Sequence, residues 1–129
     1  MGSLSRTLLL IRLVKELFRY DLVAATLGFQ GVRRGLHSRV SRRQRPGAEL
    51  ETAIPEAVSH IVAFYWKPVR CLQRSIVTAR VLRAYGLPAD VVIGYLPVPF
   101  VAHAWVEVDG RIVNDSPAYQ HRLRVLERI

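Results

Sequence analysis

Cysteine is nearly absent from this chain. The single one, Cys71, excludes an internal disulfide and the clustered thiols of a structural zinc site. Long apolar runs are missing too: Leu8-Leu9-Leu10-Ile11 is short and Arg12 interrupts it, so no stretch reaches transmembrane length. No secretory signal is visible, and a cytoplasmic location is the default expectation. Acidic residues are few, 10 against 19 Lys and Arg, for a net charge of +9. Residues 1–50 carry ten Lys and Arg against three Asp and Glu, whereas residues 51–129 carry nine against seven. The basicity therefore belongs to the N-terminal part, and it suits an acidic partner or a solvated arm. Aromatics are scarce where the arginines cluster. Between Gly28 and Gly47 only Phe29 accompanies six arginines, which excludes a stacking platform for single-stranded nucleic acid. No helix-turn-helix or zinc-finger spacing appears, and nucleic acid is not an expected partner.

What is present suits one small domain, since half of the 129 residues are apolar and can bury a modest core. Leu9, Leu10, Leu13, Val14 and Leu17 recur at helical spacing and predict an amphipathic helix over residues 4–27. The glycines and arginines of residues 28–47 read as a linker. A second helix is expected from Thr52 or Ala53, with Pro55 in its first turn, Ala57, Val58, Ile61, Val62 and Tyr65 inward, and His60 outward. A third opens at Cys71 after Lys67-Pro68 and stops at Gly86 and Pro88. The period then becomes extended. Asp90–Leu96 reads as a strand that Pro97-Val98-Pro99 cannot continue, and residues 101–108 and 111–115 read as a hairpin around Asp109-Gly110. Tyr119–Ile129 reads as a short helix. Helices first and a small antiparallel sheet after them make the class α+β.

Cys71 draws attention because a thiol at a helix N-terminus meets unpaired N–H groups and the positive end of the dipole. Such a position favours the nucleophilic thiolate. His103 on one hairpin strand and Asp115 at the end of the other complete a nucleophile, a base and an orienter. A two-residue turn would send Asp115 to the face opposite His103. A three-residue turn with Gly110 in a bulge pairs His103 with Asp115, and that register is expected here.

The blocks Cys71-Leu72-Gln73-Arg74-Ser75-Ile76, Pro99-Phe100-Val101-Ala102-His103-Ala104-Trp105-Val106-Glu107 and Val113-Asn114-Asp115 occur in that order. Over roughly residues 50–117 they resemble the transglutaminase-like leader peptidases of lasso-peptide biosynthesis. The resemblance implies a papain/transglutaminase-like core without a cofactor or metal. Cys71 would be the nucleophile, His103 the base and then acid, and Asp115 the orienter. The Cys71 N–H would lead the oxyanion hole, with Tyr65 and Trp66 as candidate neighbours of the substrate. Gln73 would pack or cap. Leu96–Phe100 should border the cleft, with Pro99 and Phe100 as further substrate neighbours, and Trp105, packed beneath the triad, should complete that set.

The implied reaction removes a leader from a ribosomally made precursor peptide, freeing the core's N-terminal amine for a macrolactam-forming synthetase. In this family a small leader-binding protein delivers the precursor. The chain is too short to include one, so a separate partner is expected. On this reading residues 1–47 form a helical and basic docking arm and residues 48–129 the protease core. A transglutaminase-type acyltransferase, an amidase and a non-enzymatic basic binding module remain as alternatives.

Overall fold

The protein is described by a computed structural model at residues 3–36 and 49–129. The first helix, α1 (Ser3–Gly35), turns Leu9, Leu13 and Leu17 inward at four-residue intervals, each at most 2% exposed. It runs past the expected end. Gly28 adopts φ 64, a conformation open to glycine, and bends the chain so that Val32 and Leu36 return to the core. Residues 29–35, beyond the kink at Gly28, are thus helical and not linker. The rest of the expected linker, with Arg39, Arg42, Arg43, Arg45 and the expected 47/48 boundary, lies outside the described residues.

Helix α2 (Glu49–Ala63) starts earlier than expected, with Glu49 and Glu51 in its first turn where the dipole favours acidic groups. Ile54 and Val58 face inward. Helix α3 (Cys71–Ala84) is central: Gln73, Ser75 and nearly every residue from Ile76 to Arg83 are buried. It ends in a Schellman arrangement, with Gly86 at φ 95, the Gly86 N–H on the Arg83 carbonyl and the Leu87 N–H on the Leu82 carbonyl. Arg83, 8% exposed, donates to the carbonyls of Ala89, Leu36 and Ile129. Burial lowers its pKa, and Asp90 nearby opposes that shift.

Four antiparallel strands follow: β1 (Ala89–Pro97), β2 (Phe100–Val108), β3 (Arg111–Ile112) and β4 (Arg124–Arg128), in the order β3-β2-β1-β4. Ala89, Val91, Val106 and Val108 pack on the helices. Val92, Trp105 and Leu123 form a second cluster on the other face. The α+β expectation therefore holds, with three local corrections. Pro97 and Phe100 pair with each other, and only Val98-Pro99, joined by a cis peptide, makes the turn. Of residues 119–129 only α4 (Tyr119–Arg122) is helical. The remainder is β4, which pairs with β1 and exchanges Ile129–Val91 hydrogen bonds because the edge of β1 needs partners. The Asp109-Gly110 turn is the two-residue kind, pairing Val108 with Arg111 and Glu107 with Ile112. Asp109 at φ 52 and Gly110 at φ 77 both enter the left-handed region, which a type I′ turn requires and Asp tolerates. The bulged register is overturned.

The first helix belongs to the core and does not stand apart as an arm. Among the described residues no helix is long and apolar enough to cross a membrane.

Gly94 sits opposite His103 on β1, and a Cβ there would lie 2.5 Å from Cη2 of Trp105. Trp105 is fully buried and has no room to yield. Gly94→Ala should lower unfolding free energy by about 1–3 kcal/mol in urea titrations.

Candidate active site

Arg70 caps α3 with extended backbone and no side-chain hydrogen bond to the helix. The first internal bond runs from the Arg74 N–H to the Arg70 carbonyl, 3.0 Å. The N–H groups of Cys71, Leu72 and Gln73 therefore precede the hydrogen-bonded ladder, beside the thiol. Gln73 is buried and turned toward α1, donating to Asp21 Oδ1 at 3.1 Å. Asp21 also accepts from the Tyr65 hydroxyl and pairs with Lys67. That carboxylate ties α1 to the segment leading into Cys71. Burial and the bond to Asp21 push Tyr65 up to about 12.

Cys71 borders two pockets. One, of about 160 Å³, is walled by Val69, Cys71, Arg74, Ser75, His103, Ala104, Asn114 and Asp115. The other is apolar, with Leu72, Ile93, Ala102 and Ala104 around Cys71 and His103. His103 Nε2 lies 2.6 Å from Asp115 Oδ2. Asp115 thus holds one ring nitrogen and leaves Nδ1 as the other. The thiol and the imidazole share both pockets.

The His103–Asp115 contact exists in spite of the two-residue turn, because the ladder stops early. Val113 N–H donates to the Val106 carbonyl at 3.0 Å, but the Val106 N–H goes to Asn114 Oδ1 at 2.8 Å. Asn114 Nδ2 in turn donates to Ser75 Oγ on α3 at 3.3 Å. The chain leaves the strand at this point, and Asp115 comes to the side of His103. Sequence reasoning left Asn114 without a role. Its signal was an Asn-Asp-Ser-Pro run just where a strand pattern fades.

The five expected substrate neighbours fall elsewhere. Tyr65, Trp66, Pro99, Phe100 and Trp105 do not line either pocket beside Cys71. Trp105 packs beneath His103 as expected, with its Nε1 donating to Glu107 at 2.8 Å, but it is fully buried and is corrected as a substrate neighbour. The Tyr65 hydroxyl is committed to Asp21. Trp66 is 70% exposed beside the Tyr65 ring. Pro99 lies in the exposed hairpin turn next to Phe100, itself 73% exposed, on the same sheet face as Ala102 and Ala104.

Comparison with known proteins supplies a context for this geometry. The sequence model described as the transglutaminase-like superfamily matches residues 15–128. The chain is also similar to the microcin J25-processing protein McjB of Escherichia coli, 39% identical over 59 residues. That alignment covers 46% of this chain and 28% of the relative. No solved structure matches.

Glu107 is 4% exposed, and burial alone would raise its pKa; hydrogen bonds from Arg128 and Trp105 outweigh that and leave it below the ordinary 4.5. The folded protein therefore binds this proton less readily than the unfolded chain. The resulting stabilisation is complete above 4.5 and lost as pH falls through 4.5 and the lower folded value. Glu107→Gln should flatten the acid dependence of stability in urea melts and cost about 1–3 kcal/mol near neutrality.

Proposed function

Because the chain belongs to the transglutaminase-like superfamily, we propose that it is a cysteine peptidase that cleaves the leader from a lasso-peptide precursor. One observation carries the reading: the lone cysteine opens the central helix in a pocket shared with a hydrogen-bonded His103–Asp115 pair. The printed name of the relative, a processing protein for a peptide microcin, supports the substrate class.

On this reading His103 Nδ1 takes the Cys71 proton and the thiolate attacks the scissile carbonyl. The oxyanion forms against the N–H groups at the start of α3. The imidazolium returns its proton to the departing amine, which becomes the N-terminus of the core peptide. A water deprotonated by His103 then cleaves the thioester and releases the leader as a carboxylate. Asp115 keeps the tautomer that leaves Nδ1 bare. The open apolar pocket beside Cys71 would receive a substrate side chain, while exposed Trp66 and Phe100, with Tyr65 and Pro99 next to them, serve as outer contacts.

Delivery by a separate leader-binding protein has its own support. The outer side of α1 exposes Leu8, Ile11, Phe18 and Leu22, with Arg12 and Lys15 between them. A core-facing helix does not need this second apolar stripe, and the charges suit an acidic partner. Because Leu9, Leu13 and Leu17 are core residues, truncation of α1 would test only folding; substitution of the outer stripe separates the roles.

The precursor and leader-binding protein are identified from neighbouring reading frames. Cleavage followed by mass spectrometry should fall by about 10³-fold or more for Cys71→Ala and His103→Ala, and by less for Asp115→Ala. Folded His103→Ala with near-normal cleavage would sink the assignment, and leader joined to an amine would favour the acyltransferase reading. Binding retained by Cys71→Ala with no cleavage by wild type would leave the binding module. Phe18→Glu with Leu22→Glu should weaken binding to the leader-binding protein at least about tenfold by calorimetry, and salt should weaken the wild-type complex. Unchanged affinity in the double variant would refute the α1 docking role.

A further inference from the structure

The segment that brings in Asp115 also brings in Tyr119, four residues later at the start of α4. The Tyr119 ring lies against His103, with centroids 4.3 Å apart and planes at 31°. Trp105 backs both rings, 6.1 Å from Tyr119 at 17° and 6.4 Å from His103 at 29°. Trp105 is itself held through its indole N–H by Glu107, and Glu107 is held by Arg128 of β4 at 2.8 Å. An ordered chain of contacts thus runs from the sheet edge to one face of the imidazole.

His103 stands at a place where its strand offers little support. Strand β3 ends at Ile112, so among the described residues no strand pairs with the edge of β2 beside His103 on that side. An imidazole there can turn about its χ2 unless something restrains it. Asp115 fixes one nitrogen at 2.6 Å, but a single hydrogen bond is a hinge as well as an anchor. The two side chains are also 22% and 32% exposed, so water competes for the bond. A ring against the face of the imidazole stops rotation about that hinge and covers one side of the bond.

We propose that Tyr119 is a positioning residue for His103: its ring holds the imidazole with Nε2 on Asp115 and Nδ1 toward the pocket of Cys71. This rests on the peptidase reading and assigns that site a fourth member. The ring does the work and the hydroxyl does not. Tyr119→Phe therefore keeps the function, whereas Tyr119→Leu keeps an apolar side chain and loses the flat contact.

The test uses the full chain and iodoacetamide, whose single target is Cys71. Alkylation is followed by mass, with folding monitored by thermal melting. Wild type should react faster than free cysteine, and His103→Ala should lose that advantage. Tyr119→Phe should stay within about twofold of wild type, and folded Tyr119→Leu should fall about tenfold, the scale of losing an oriented base. Folded Tyr119→Leu reacting at the wild-type rate overturns the proposal. A wild type no faster than free cysteine, with His103→Ala unchanged, instead overturns the peptidase reading. Nitrogen NMR of wild type gives a check that needs no variant. His103 should show one tautomer, protonated at Nε2, with Overhauser contacts to the Tyr119 ring; averaging between tautomers without such contacts overturns the proposal as well.

Discussion

A side-chain amide standing in for a main-chain carbonyl governs the site. The Val106 N–H is buried in the sheet and needs an acceptor. A continuing β3 would supply one and would carry Asp115 to the far face of the sheet. Asn114 satisfies the N–H instead, and its other end reaches Ser75 on α3. One residue thereby ends a strand, ties the sheet to the helix that Cys71 opens, and frees the next residue to meet His103. The placement of Asp115, the turn that follows and the seat of Tyr119 all depend on this exchange.

The same economy of contacts explains why the N-terminal helix is needed. Its Leu9, Leu13 and Leu17 fill the core behind α3, and its Asp21 gathers Tyr65, Lys67 and Gln73 around the approach to Cys71. The carboxylate interrupts the apolar stripe of α1. A charged residue inside an apolar stripe was in fact an anchor for a neighbouring loop. Burial and that carboxylate both keep the Tyr65 proton in place, so the tie persists well into alkaline conditions.

The most legible parts of the chain were those written in local chemistry. Helix α3 announced itself by Gly86 and Pro88, and the three residues at the site by their types and order. The Asp-Gly turn was visible, but its class was not, since Asp tolerates the left-handed region and both turns use Gly at that position. The register argument also assumed a ladder that continues, and ladder length is decided by Asn114, a tertiary partner. Strand β4 was illegible for a related reason. Arg124 to Arg128 alternates only weakly, and what makes it a strand is the open edge of β1. Val98-Pro99 misled in the other direction: prolines that end a run can also close a tight hairpin around it.

Arg83 joins places far apart in the chain, the end of α1, the start of β1 and the residue after β4, by giving its guanidinium protons to their carbonyls. A cation so placed changes what partial opening means. If β4 peeled from the sheet, or the end of α1 frayed, the guanidinium would lose an acceptor while much of its surroundings stayed dry, which is costly. Segments that look peripheral in the topology are therefore enrolled in the same cooperative unit as the core. Their amide protons should exchange with solvent through global unfolding and not through local fraying.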